Sequence, residues 1–335
     1  TANNVNFTEN VATYRGGAIY SEGTVNVDTA VFDKNDITFR TANDDNGGAA
    51  IYNMKGVLNV NHANITNSVK DIVIRNGNAG DLLVGVVVTT GETLIENSYF
   101  ANNTGSWGGA ISSLGYMNNE AYTLTVENTT FEGNNATFGG AIFVESSNLV
   151  VEDSRFNNNL GVGVGSSGTS NTQGGAIVVH PAGSSATITG SNFTANNANV
   201  GGAVSLAGVD KNSLIEDCIF TDNTAGDGGA VYLWTQGDAV VSVKDSTFTN
   251  NDASFGSAIS SEGTLRLSGN TMTGGSVVPI GSYDGTIVSD VYVKTLNGET
   301  VTTSTATNDI TAVLTDDKGN SIVDNTLVLK VNGED

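Results

Sequence analysis

Two short signatures recur along the whole chain, and they leave little freedom in how it folds. Gly-Gly-Ala-Ile begins at Gly16, Gly108, Gly139 and Gly174, and again with Val in fourth place at Gly201 and Gly228. Gly47 opens a version with an extra Ala, and Gly256 opens Gly-Ser-Ala-Ile. The second signature is Phe-x-x-Asn, beginning at Phe7, Phe32, Phe100, Phe131, Phe156, Phe193, Phe220 and Phe248. Counting degenerate members that end at Ile65 and Met272, successive positions lie 24 to 37 residues apart. That period belongs to solenoids, in which each unit buries its apolar face only against the next.

Aligned on the Phe, segments such as TLIENSYF (93–100), LTVENTTF (124–131) and LVVEDSRF (149–156) share a pattern. The fifth residue before the Phe is always aliphatic: Val27, Val60, Ile95, Val126, Val151, Ile188, Ile215, Val243 and Leu267. The seventh is usually apolar and the sixth is not, a period of two that predicts a strand with one buried face. A second short strand is expected after each Gly-Gly, and the joining segments carry the Asn, Gly, Ser, Thr and Asp of turns. Strands of one type recur in the same sense, so the expected fold is all-β, a right-handed parallel β-helix over residues 1–285. At strand spacing, nine intervals give a rod of roughly 45 Å.

Stacking then turns the recurrent residues into columns. Phe100, Phe131 and Phe156 should form part of an internal aromatic column. Asn103, Asn134 and Asn159 should form an amide column, with Asn suited to a left-handed turn conformation. Gly-Gly provides a bend without Cβ crowding. Cys218 stands where other coils have Ser98, Thr129, Ser154, Ser191 and Ser246, and reads as a small packing residue. DLLVGVVV (81–88) is the expected replacement for the missing Gly-Gly strand between Ile65 and Phe100.

After Met272 the repeat fades, and residues 286–335 read as a partial immunoglobulin-like β module or as a cap on the coil end. The chain opens partway into a Phe-x-x-Asn coil, as a mature product or a piece of a longer protein would.

There are 35 acidic and 13 basic residues, a net charge of −22. That balance argues against nucleic acid and anionic membranes as partners. No stretch is long and apolar enough to span a membrane as a helix. The one Cys excludes an internal disulfide. Asn6, Asn64, Asn102, Asn128, Asn135 and Asn192 are sequons, hence candidate glycosylation sites in an exported protein.

The paired GGAI and FxxN motifs resemble those of the chlamydial polymorphic outer membrane proteins. They also resemble the adhesin-like surface proteins of methanogenic archaea, and residues 309–333 are similar to the immunoglobulin-like pattern that follows the repeats there. The methanogen-type resemblance is the favoured one. It implies an extracellular, cell-surface protein that attaches to glycans or proteins of a host or another cell.

Two columns are candidate sites. Glu96, Glu127 and Glu152 fall four residues before the Phe in consecutive coils, either a solvated face or a Ca²⁺ strip. Just before the glycines lie Arg15, Asn46, Trp107, Phe138, Gln173, Val200, Asp227 and Phe255. Of these, Trp107, Phe138 and Phe255 are the candidate ligand-binding aromatics, with packing against a neighbouring turn as the alternative. No enzyme is expected and no catalytic residue is assigned: Asp44, Asp45, Asp227 and Asp238 lie in Gly-rich turns, and His62 and His180 lie in different coils. The reading is therefore a non-enzymatic adhesin without cofactor, Ca²⁺ aside. A surface-layer or fibre subunit associating through chain ends is second, and a polysaccharide-active enzyme third.

Overall fold

A computed structural model describes residues 1–38, 47–68, 86–115, 122–162, 172–181, 183–277, 279–289, 292–293, 302–303 and 326–329. Among them there is no α-helix, and the strands stack into long parallel ladders that wind as a parallel β-helix.

Each coil contributes three strands. The first carries the aliphatic pair: Thr123–Glu127 alternates between half-buried and buried, and Leu124 and Val126 point inward. It pairs in parallel register with Thr93–Glu96 on one side and Asn148–Glu152 on the other. The second, only three residues long, carries the Phe. Its ladder runs through ten coils, from Asn6–Thr8 to Thr271–Thr273, with Ile65 and Met272 in the Phe position. The third follows Gly-Gly, as in Ile142–Glu145 and Ile177–His180. Val87–Thr89 occupies this position between Ile51–Asn53 and Ile111–Leu114, as expected for the 81–88 run; residues 81–85 lie outside the described set.

Two columns hold the coils in register. Phe100, Phe131, Phe156, Phe193, Phe220 and Phe248 are buried and stacked nearly parallel, with centroids 4.7–5.0 Å apart. That separation matches the spacing of paired strands, so backbone pairing and ring stacking are satisfied together. Beside it runs the Asn column. Asn159 Oδ1 accepts from both the backbone N–H and the side-chain amide of Asn134. Asn159 Nδ2 donates to the Phe131 carbonyl and to Asn196 Oδ1. The same four bonds recur at Asn134, Asn196 and Asn223. Both lone-pair directions and both amide hydrogens are used, so the buried amide is fully satisfied.

The left-handed conformation expected of these Asn belongs instead to their neighbours. Asn102, Gly133, Asn158, Ala195, Asp222 and Asn250, one residue earlier, have φ between 52° and 62°. A second left-handed corner precedes the Phe strand, at Asn97, Asn128, Asp153, Gly190, Asp217 and Asp245. The short Phe strand is thus bracketed by two single-residue bends, and the ladder Asn is left free to bond along the rod.

The two glycines of Gly-Gly have different reasons. The first is left-handed, with φ of 64° at Gly139 and 63° at Gly201. A Cβ on the second would collide with the carbonyl of the second glycine one coil on, Gly140 against Gly175 and Gly175 against Gly202. In the motif opened at Gly47, the left-handed glycine is Gly48 with φ of 65°, and Ala49 fills the second place. The Ala is therefore no insertion: the motif begins one residue later than the sequence suggested.

At the C-terminal end the strand Ile280–Ser289 crosses the expected 285/286 boundary. Thr326–Leu329 pairs in parallel with its Thr286–Ser289 half and so extends the first ladder. Tyr292–Val293 and Thr302–Thr303 form a small antiparallel pair. The rest of 286–335, and with it the immunoglobulin-like reading, lies outside the described residues.

Two substitutions test this account. Asn159→Asp keeps shape but replaces two donor hydrogens by an oxygen that faces two acceptors, leaving buried groups unpaired at about 1–3 kcal/mol each. It should lower the denaturation midpoint clearly more than Asn158→Asp, at the neighbouring corner. Gly140→Ala should prevent normal stacking and destabilise more than Gly23→Ala, where an added Cβ meets nothing.

Candidate functional site

The first ladder buries one face, whereas the third is buried on both along most of the rod. Ile51–Asn53, Val87–Thr89 and Ile111–Leu114 have no exposed position. The outward residues Tyr52, Val88, Leu114, Phe143 and Val178 form a second apolar cluster, separate from the core, against which Met54, Trp107 and Phe138 pack. The residue before Gly-Gly makes this cover. In each case it reaches the outward residue one coil further on: Arg15 lies 5.3 Å over the Tyr52 ring, and Trp107 stacks 5.4 Å from Phe143. Gln173 Oε1 accepts from Ser205 Oγ at 3.4 Å. The pre-glycine residues bridge to one another in register, with Gly47 opposite Arg15 where Asn46 was expected. Asn46 itself lies outside the described residues.

In the last coils this cover opens and its chemistry changes. The pre-glycine residue becomes Asp227, then Phe255, and the outward residues become Tyr232, Trp234, Ser260, Glu262 and Tyr283. The Tyr232 hydroxyl donates to Glu262 Oε1 at 2.9 Å. Tyr283 stacks on Phe255 with centroids 4.2 Å apart. Trp234 and Tyr283 remain 41% and 54% exposed. Burial pushes the Asp227 carboxyl above the usual carboxylate range, and the neighbouring Ser260 and Tyr283 hydroxyls offset part of that. Even so, Asp227 Oδ1 and Ser260 Oγ are shut off from solvent and neither reaches a hydrogen bond of good geometry. Burial and the Asp227 charge push the Tyr283 phenol up to about 12, and burial with the Glu262 bond also raises Tyr232. Both phenols therefore keep their protons at neutral pH.

The other sequence candidates fall as follows. Trp107 and Phe138 are half-buried packing residues of the second cluster, whereas Phe255 belongs to the aromatic–acid corner. Glu96, Glu127 and Glu152 are aligned in register on the first ladder. Among the described residues no group of three His, Cys, Asp or Glu side chains is gathered as a metal ion requires. His62, at the left-handed corner after the first-ladder strand, contacts Asp28 of the preceding coil at 3.2 Å, and His180 contacts its register partner Glu145 at 3.6 Å. Asp238 stands apart from the corner at an exposed turn, and Asp44 and Asp45 lie outside the described residues. Of the sequons, Asn6, Asn64, Asn102 and Asn128 are exposed, and Asn135 and Asn192 are half-buried. Asn128 Nδ2 already donates to Asn97 Oδ1.

Cys218 is buried, its thiol pushed up to about 12 by desolvation. Its sulfur stands in a hydroxyl column in which Ser98, Thr129, Ser154, Ser191 and Ser246 donate to the carbonyl two residues earlier. Cys218 does the same to Glu216.

Sequence reading named Asp227 and Phe255 only as members of the pre-glycine column and missed Trp234, Glu262 and Tyr283, because the members of the corner come from three coils and do not recur along the repeat.

Residues 4–22, 128–145 and 217–233 match the Chlamydia polymorphic membrane protein repeat. Each stretch runs from the Phe strand, or the corner before it, through Asn and Gly-Gly into the third strand. No curated protein and no solved structure matches the chain.

Three outcomes follow. Trp107→Ala should lower the melting temperature by several degrees, because it uncovers Phe143. Glu127→Gln, which removes the middle of three like charges, should raise the melting temperature at low salt and much less at high salt. In the native protein Cys218 should resist iodoacetamide and react only in denaturant, and Cys218→Ser should fold with undiminished stability.

Proposed function

We propose that this chain is a non-enzymatic cell-surface adhesin, a rigid rod that presents its turns and one lateral face to glycans or proteins of a host or another cell. The observation that carries this reading is the repeat match itself. The matched unit is the one that builds the rod, and it is named for a membrane protein family, which supports a cell-surface location in general. The uniform columns are consumed in joining coils, so binding chemistry resides where coils differ.

In its finer form the reading follows the resemblance to methanogen adhesin-like proteins, with immunoglobulin-like modules beyond the rod and glycans on the exposed sequons. A second reading, a surface fibre that joins through chain ends, is supported by the open ladders that any solenoid end presents.

Labelled chain should bind target cells saturably as a monomer by light scattering. Absence of binding, together with a mass that rises with concentration, would replace the adhesin with the fibre.

A further inference from the structure

We infer that the aromatic–acid corner on the third ladder, formed by Asp227, Trp234, Glu262 and Tyr283, is a binding subsite for a neutral saccharide. This rests on the adhesin reading and gives it a location and a ligand class.

Three observations converge on it. The first is backbone construction. The third ladder keeps plain register except at two bulges, and both serve this corner. Between Ser261↔Ser282 and Glu262↔Asp284, Tyr283 is the extra residue, and the bulge presents its ring to solvent. Between Ala207↔Trp234 and Val209↔Thr235 the extra residue is Gly208, with φ of 86°. A Cβ there would come within 3.2 Å of Trp234 Cε3, so the glycine makes room for the indole. Bulges re-aim side chains in this way beside functional sites.

The second observation is the surface. Along this face Tyr52 and Phe143 are sealed, at 0% and 3% exposure, whereas Trp234 and Tyr283 are open, as is Tyr20 at the other end of the rod. Glu262 lies between them, opposite Trp234 in register and held by the Tyr232 hydroxyl. Flat apolar rings flanking fixed carboxylate acceptors match a pyranose, whose C–H face stacks on aromatics while its hydroxyls donate to acids.

The third is polar capacity. Beneath the corner the buried Ser260 hydroxyl and the Tyr283 hydroxyl offset part of the burial cost of the Asp227 carboxyl. Asp227 is itself only half-buried, so its carboxyl adds an acceptor beside Glu262.

Charge selects within the class. Two carboxylates on a chain of net charge −22 disfavour sialylated, sulfated or uronic acid ligands.

The test uses the full chain on an array of neutral hexose and N-acetylhexosamine oligosaccharides with their sialylated and sulfated counterparts. Wild type should bind neutral members. Tyr283→Ala and Glu262→Gln should each weaken that binding at least tenfold with unchanged melting temperature, and Tyr283→Phe should retain it. Glycan binding that survives both variants, or that is confined to anionic members, overturns the subsite and leaves the adhesin standing. Attachment to cells without any glycan binding overturns the saccharide alone, and loss of both overturns the adhesin reading as well.

Discussion

Everything in this molecule depends on one distance, the separation of adjacent parallel strands. Phe rings stack at 4.7–5.0 Å and the Asn amides bond at 2.9–3.0 Å because the coils repeat at that spacing. An aromatic column alone tolerates slippage, since stacked rings are insensitive to small shifts. The Asn column does not, because each amide makes four directed bonds that fail together when a coil moves by one residue. Register comes from the amides, and apolar burial comes from the Phe and aliphatic columns.

The same spacing explains where the sequence can vary and where it cannot. Where the motif has a second glycine, a Cβ on it would meet a carbonyl one coil away, and Ala49 and Ser257 are the two places where a Cβ is accepted. Cys218 in a column of Ser and Thr shows the opposite case. There the requirement is a small side chain able to reach the carbonyl two residues back, and sulfur meets it. The period wanders between 24 and 37 residues while the Phe and Asn columns keep their register.

The rod was legible in the sequence because its causes are periodic. Val126, Phe131 and Asn134 each have counterparts in nearly every coil, and a column of identical residues predicts its own contacts. The errors came where the cause is conformational: the left-handed corner lies at Asn102 or Asn158, one place before the column that draws the eye. The acid–aromatic corner was illegible for another reason. Asp227, Glu262 and Tyr283 come from three coils and are not repeated, and Tyr283 reaches its place only through a bulge that no residue pattern announces. Trp107, read with Phe138 and Phe255 as a ligand-binding aromatic or a packing residue, covers Phe143 in the next coil.

A solenoid that spends its repeated residues on cohesion must place recognition in exceptions to the repeat. Here the exceptions cluster. The two register shifts of the third ladder, the open side chains of Trp234 and Tyr283 and the half-buried Asp227 carboxyl occupy consecutive coils at one end of the described rod. Each feature costs stability: a bulge forfeits ladder hydrogen bonds, an exposed indole forfeits burial, and a half-buried carboxylate forfeits hydration. Strung separately along the rod they would be tolerated irregularities. Concentrated on one face, they form a surface whose chemistry faces outward.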